Sequence, residues 1–116
     1  MNNKIFSYSS DGTGKGIYLL IVREFDGAWY DHTDGKFRGS PVIPSVVMTE
    51  KTLAGVATQI HQLTIASQVW DNGYYTTWAY EEVAAGSVDT ANDSIVAEGR
   101  VKIVNDEIVE RGWSHN

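Results

Sequence analysis

The stretch Gly73-Tyr74-Tyr75-Thr76-Thr77-Trp78-Ala79-Tyr80 decides the fold class, because its residues alternate with the two-residue period of a β-strand. An Asp71-Asn72-Gly73 turn sequence precedes it, as at the start of a hairpin strand. The even-numbered side chains share one face of this strand and the odd-numbered ones share the other. The even-numbered face carries the tryptophan, and we expect that face to pack in the core.

Further strands are expected on both sides of this segment. Val, Ile, Thr, Tyr and Trp occur in short runs that are separated by clusters of Gly, Asp, Asn and Ser. The runs cover residues 4–8, 17–25, 28–31, 36–38, 46–50, 56–65 and 94–104. About seven short strands with frequent turns are typical of an antiparallel β-sandwich or small barrel of immunoglobulin-like type. The sequence therefore predicts an all-β fold.

Residues 56–65 are open to two interpretations. Val56, Ile60 and Leu63 have helical spacing, whereas Thr58 and Thr64 add β-branched residues that disfavour a helix. We favour a strand.

Two other segments lack a clear strand pattern. Residues 84–93 are mostly small and polar, so we expect a mobile loop with no apolar anchor. Residues 105–116 form either a last short strand or a docking segment. At 116 residues the chain is expected to be a single β-sandwich domain, 1–116, with docking segments at its N- and C-termini.

Composition excludes several classes of function. Fifteen acidic against nine basic side chains give a net charge of −6, which opposes binding to nucleic acid. No apolar run reaches the roughly 18–20 residues that cross a bilayer, so no membrane partner is expected. Cysteine is absent, which excludes disulfides and thiolate chemistry.

No metal or cofactor site is expected. Asp26, Asp31, His32 and Asp34 supply oxygen and imidazole groups on a short stretch, but Asp and Gly at this spacing are simply turn formers. The glycine-rich residues 11–16 lack the spacing of a phosphate-binding loop, and we expect a hairpin loop there.

The chain is expected to have no catalytic residues. His32, His61 and His115 show no metal-ligand spacing, and no G-x-S-x-G nucleophile motif is present. Acidic side chains such as Glu50 and Glu98 can pair as acid and base, as they can in any acidic protein. We therefore predict a non-enzymatic protein.

Aromatic residues make up 11% of the chain and allow two interpretations. The favoured one places them in the core. In the alternative, Trp29, Tyr30 and Trp70 form an exposed platform that stacks on sugar rings, which would make the chain a carbohydrate-binding module for host or glycan recognition.

The order of segments resembles the small β-sandwich domains of tailed-bacteriophage structural proteins. The resemblance covers residues 17–99 and rests on Ile17-Tyr18-Leu19-Leu20-Ile21, Gly27-Ala28-Trp29-Tyr30 with Phe37, Val47-Met48-Thr49-Glu50, Gly73-Tyr74-Tyr75, Ala79-Tyr80-Glu81-Glu82 and Val96-Ala97-Glu98-Gly99. The chain departs from that pattern in the longer stretch 53–68 and in the charged extension after Val104.

The resemblance implies a virion component without enzymatic activity, of the head-decoration, neck or tail-accessory type. Such a subunit would assemble in the host cytoplasm. It would bind other virion proteins or copies of itself through strand edges and loops, either as a homo-oligomer or on a symmetric lattice.

Overall fold

The computed structural model describes residues 3–9, 16–66, 68–84 and 86–115, with the side chains of 113–115 outside the description. The expected all-β fold is confirmed. The described residues form β1 (Lys4–Ser9), β2 (Ile17–Arg23), β3 (Ala28–Asp31), β4 (Lys36–Arg38), β5 (Ser45–Val47), β6 (Thr49–Leu53), β7 (Val56–Ile65), β8 (Gly73–Glu81), β9 (Ser94–Val104) and β10 (Glu107–His115). The predicted loop at 11–16 lies outside the described residues apart from Gly16.

Two antiparallel sheets pack face to face as a sandwich. The smaller sheet has the order β1-β7-β6, and the larger has the order β10-β9-β8-β2-β3-β4. Two short strands pair with the same edge of β2. Tyr18–Leu20 pair with β5, whereas Val22 and Arg23 pair with β3. The chain then passes from the larger sheet to the smaller one at Met48, whose N–H donates to the Ile17 carbonyl.

The core lies between the two sheets and is centred on Trp70. This ring contacts the rings of Phe6, Tyr30, Phe37 and Tyr75 at centroid distances of 4.8–6.1 Å. Apolar side chains from both inner faces complete the core, among them Tyr8, Ile17, Leu19, Ile21, Val46, Met48, Ile65, Ala79, Ala97, Val101 and Ile103. Burial of this apolar surface is the main force that holds the sheets together.

The prediction that the even-numbered face of β8 packs in the core is wrong. Tyr75, Thr77 and Ala79 are fully buried, whereas the even-numbered Tyr74, Thr76, Trp78 and Tyr80 are half-buried on the outer face. The register aligns Ala79 with Leu19, and Leu19 belongs to the core face of β2. On the outer face, Tyr80 stacks on Tyr18 and Trp78 packs on Trp29, so these rings are covered by cross-strand neighbours.

Residues 56–65 form a strand, as favoured, and in the tail residues Glu107–His115 form the strand β10. A buried ion pair joins the two ends of the chain. The Lys4 ammonium donates to Asp106 Oδ1 at 2.6 Å and to the Gln68 carbonyl at 2.7 Å. Asp106 Oδ1 also accepts the backbone N–H of Trp70, so this carboxylate holds the segment that carries the central ring of the core.

A buried carboxylate, and not apolar bulk, anchors the described residues of the 84–93 loop. Buried Asp93 accepts the Tyr18 hydroxyl and the Asp89 N–H through Oδ2, and the Val83 N–H through Oδ1. These hydrogen bonds hold the pKa of Asp93 below its usual value, with the Val83 N–H as the largest cause.

Candidate functional site

The end of the hairpin formed by β6 and β7 is highly exposed. We call residues 51–60 the hairpin arm. Nine of these ten residues are exposed and Thr58 is half-buried, although they belong to two paired strands and the turn between them. Neither face of the hairpin arm therefore contributes much to the core.

Local sequence explains why the arm is an ordered hairpin. Ala54 and Gly55 form a two-residue turn with φ values of 52° and 80°, as type I′ hairpin turns require. A bulge lies between Glu50 and Thr52. There, Glu50 Oε2 accepts the Gln59 N–H at 2.9 Å, and the Thr58 hydroxyl donates to the Lys51 carbonyl at 2.8 Å. These two hydrogen bonds hold the strands of the arm together at the bulge, where the backbone pairing is interrupted.

The arm extends beyond the described part of β1. Among the described residues, the pairing of β1 with β7 ends at Ser9 and Ile60, and Val56 and Ala57 pair with β6. At the tip, Leu53 and Val56 lie directly opposite each other with exposed fractions of 74% and 67%. The two side chains form a small apolar patch on a hairpin held by side-chain hydrogen bonds.

The three residues of the alternative glycan platform do not share a surface. Tyr30 is 3% exposed and Trp70 is 2% exposed, and the two rings pack against each other in the core. Trp29 points to the opposite side of β3 and is half-buried against Trp78. Trp29, Tyr30 and Trp70 therefore form no exposed platform of the kind that the alternative interpretation requires, because Tyr30 and Trp70 are buried and Trp29, as the neighbour of Tyr30 on one strand, faces the other side of the sheet.

The acidic stretch near Asp31 holds loops together. Buried Asp31 accepts the Thr33 hydroxyl and N–H through Oδ1, and the Val42 N–H through Oδ2. These contacts hold the pKa of Asp31 well below its usual range, with the Thr33 hydroxyl as the largest cause. The Arg38 guanidinium lowers the pKa of Asp34 to about 2. His32 is exposed in the same turn.

His61 is the one described histidine with an unusual environment. Its ring is buried, and neither nitrogen has a hydrogen-bond partner among the described residues. Burial lowers its pKa below the usual 6.5, while the Glu50 carboxylate on the neighbouring strand acts in the opposite direction. The side chain of His115 lies outside the described part. In that part, no three His, Cys, Asp or Glu side chains form a group that could hold a metal ion.

Leu53 and Val56 are not among the site residues that the sequence predicts. The sequence that could have indicated them is Leu53-Ala54-Gly55-Val56, a hairpin turn with an apolar residue on each side.

Comparison of the chain with protein-family models, with curated proteins and with solved structures gave no match. No helix long and apolar enough to span a membrane occurs among the described residues.

Proposed function

We propose that the chain is a non-enzymatic structural subunit that docks onto other protein chains through its hairpin arm. The observation that carries this proposal is the exposed pair of Leu53 and Val56 on a braced hairpin. A monomer gains nothing from holding these two side chains in water, whereas burial against a partner would stabilise a complex by about 1.5–3 kcal/mol for each side chain.

Edge strands supply a second means of contact. The smaller sheet has two edges, β1 and β6, and the larger sheet ends at β10 and β4. An edge strand presents unpaired N–H and C=O groups that can pair with a strand of another chain. The arm contains the end of β6, so apolar contact and strand pairing would act at the same place.

The resemblance of residues 17–99 to tailed-bacteriophage β-sandwich domains supports a more specific proposal. In this proposal the chain belongs to a virion as a head-decoration, neck or tail-accessory subunit, and its partners are other virion proteins or copies of itself. The net charge of −6 fits a position away from the packaged genome.

The proposal is tested by incorporation into particles. An epitope-tagged chain would be produced in the cells in which the particles assemble, and the particles would be purified on a density gradient. We expect the wild type to band with particles and Leu53→Asp to be lost from them. Val83→Asp is the matched control, because Val83 is also 74% exposed but lies outside the arm. Particles that lack the wild-type chain, or that retain Leu53→Asp as well as Val83→Asp, would overturn the proposal.

A second candidate function is glycan recognition on the outer face of the larger sheet. It is favoured by the half-buried Trp29 and Trp78, whose ring centroids are 5.5 Å apart with planes at 32°. Indole faces of this kind stack on sugar rings. A glycan array would test it: binding that is lost in Trp78→Ala and kept in Leu53→Asp would support it, and an array without binding would exclude it.

A further inference from the structure

The turn before β8 contains an asparagine that is followed by a glycine. Asn72 is exposed, and Gly73 is the first residue of β8. Asparagine is one of the thermally labile residues of proteins. Its side-chain amide is open to attack by the backbone nitrogen of the next residue, which lies close to it in the same molecule. A side chain on that next residue hinders the attack, and glycine has none.

The surroundings of Gly73 leave room for this attack. Its φ is 136°, a conformation that residues with a side chain rarely adopt. A Cβ added there would have Phe25 as its one described neighbour within 4 Å, at 3.9 Å. Gly73 and Ile103 form the end pair of β8 and β9, and the end of a ladder opens more readily than its centre. The Gly73 amide can therefore leave its pair and approach the side chain of Asn72.

The side-chain carbonyl of Asn72 is already bound to a hydrogen-bond donor. Its Oδ1 accepts the Asn105 N–H at 2.8 Å. When a nitrogen attacks the side-chain Cγ, negative charge develops on this oxygen, and a backbone N–H placed against it stabilises that charge. The donor belongs to the turn between β9 and β10, so two paired strands hold its position. The fold thus supplies an activating group that an isolated peptide lacks.

We propose that Asn72 is a site of spontaneous deamidation in the folded chain. The Gly73 amide gives its proton to a base in the solvent, and its nitrogen forms a bond to Asn72 Cγ. The bond between Cγ and Nδ2 breaks, and Nδ2 takes up a proton from water and leaves as ammonia. Water then opens the cyclic imide. Attack at Cγ gives aspartate, and attack at the main-chain carbonyl gives isoaspartate, in which the main chain runs through Cγ.

Two other asparagines of the described chain provide the comparison. Asn92 precedes Asp93, whose N–H is held by the Asp89 carbonyl at 2.7 Å. Asn105 precedes Asp106, which is buried. In both cases the next residue carries a side chain and is anchored, so attack on the asparagine is hindered.

Conversion to isoaspartate would change the start of β8. It adds a methylene group to the main chain next to Gly73, which forms the first pair with β9. It also displaces the carbonyl that accepts the Asn105 N–H. Asn105 is followed by Asp106, which holds the backbone of Trp70, so we expect the isoaspartate form to be less stable. Aspartate keeps an acceptor oxygen at this position and should change stability little.

Ageing of the purified chain tests the proposal. The wild type would be kept in mildly alkaline buffer at physiological temperature, digested at intervals and analysed by peptide mass spectrometry, with an enzymatic assay for isoaspartate. We expect conversion at Asn72 to be at least about tenfold faster than at Asn92 or Asn105. Asn72→Gln is the matched control, because its longer side chain would have to close a larger ring, and it should show no conversion at position 72.

The same incubation in urea separates the effect of the fold from that of the local sequence. Conversion of Asn72 in the unfolded chain but not in the folded one would overturn the proposal, because the fold would then protect the site. Equal rates at Asn72, Asn92 and Asn105 in the folded chain would also overturn it. None of these measurements involves the hairpin arm, so this proposal can fail while the proposed function stands.

Discussion

The two ends of β7 are each paired with a neighbouring strand but have opposite side-chain environments. At one end, Ile65 and His61 pair with Lys4 and Tyr8 of β1, and their side chains are buried. At the other end, beyond the last pair with β1, Val56, Ala57 and Gln59 are exposed on both faces. The packed end is paired with β1 and the exposed end is paired with β6. Strand pairing and core packing are therefore separable in this molecule, and the hairpin arm is paired without being packed.

This difference divides the apolar residues into two groups with different roles. Those in the rest of the described chain, which we call the body, hold the sheets together, and their loss should lower stability. Those of the arm are not needed for the fold, and their loss should change association only. The following predictions test this division.

The largest effect is expected at the buried ion pair of the body. Lys4→Met leaves the Asp106 carboxylate buried without its ammonium partner, which should lower the free energy of unfolding by about 3–5 kcal/mol. The control is Lys51→Met in the arm, where a change within about 0.5 kcal/mol is expected. Urea unfolding curves measure both values. A loss below about 1 kcal/mol for Lys4→Met would show that this pair does not secure the chain ends.

A smaller effect is expected inside β7 itself, where two isoleucines can be compared. Ile65 is 4% exposed and Ile60 is 38% exposed. Truncation of the buried side chain in Ile65→Ala should cost about 2–5 kcal/mol, whereas Ile60→Ala should cost less than about 1 kcal/mol. Thermal unfolding of the two variants gives the comparison. Equal losses would contradict the division of β7 into a packed and an exposed part.

The third prediction concerns pH and the buried His61. Because burial lowers its folded-state pKa, the unfolded chain binds a proton first as the pH falls below about 6.5. The stabilisation gained by burying the neutral His61 ring is therefore complete above about pH 6.5. It decreases as the pH falls towards the lower pKa of His61 in the folded state. We expect the unfolding temperature to fall by several degrees between pH 7 and pH 5, and we expect His61→Leu to flatten this dependence.

Exposed His32 provides the control for that experiment. His32→Gln should keep the pH dependence of the wild type. A flat pH profile in the wild type, or the same flattening in His32→Gln, would contradict the assignment to His61.

The smallest effect on stability is expected in the arm. Leu53→Asp should change the free energy of unfolding by no more than about 0.5 kcal/mol, because its side chain is already in water. Denaturant unfolding at low protein concentration measures this value. A loss above about 1.5 kcal/mol would mean that the arm packs on the body and would remove the basis for its docking role.

Alternation of residue types predicted the all-β fold and most of the strands, because period two is a local property of the chain. It did not predict which face of β8 is buried. A two-residue period distinguishes two faces without indicating which one meets the other sheet, and the larger rings happen to lie on the outer face. There they are covered by partners from other strands, namely Tyr18 for Tyr80 and Trp29 for Trp78.

Long-range contacts account for the remaining differences. Trp70 lies in a connection outside any strand, where its backbone N–H donates to Asp106, 36 residues away, and its ring packs on rings from distant segments. The extension of the arm beyond the described part of β1 is a matter of register between distant segments. Neither feature can be read from residues that are adjacent in sequence. The turn at Ala54-Gly55, which is local, was within reach of sequence reasoning.

Hydrogen exchange of the arm amides tests the central claim most directly. The backbone amides of residues 51–60 would be followed in the isolated chain at low concentration and in the assembled state, whether self-associated or on particles. The account predicts that assembly protects the arm amides while the amides at the centres of β2 and β8 exchange as before. Unchanged exchange in the arm, with new protection at another edge such as β10, would contradict it.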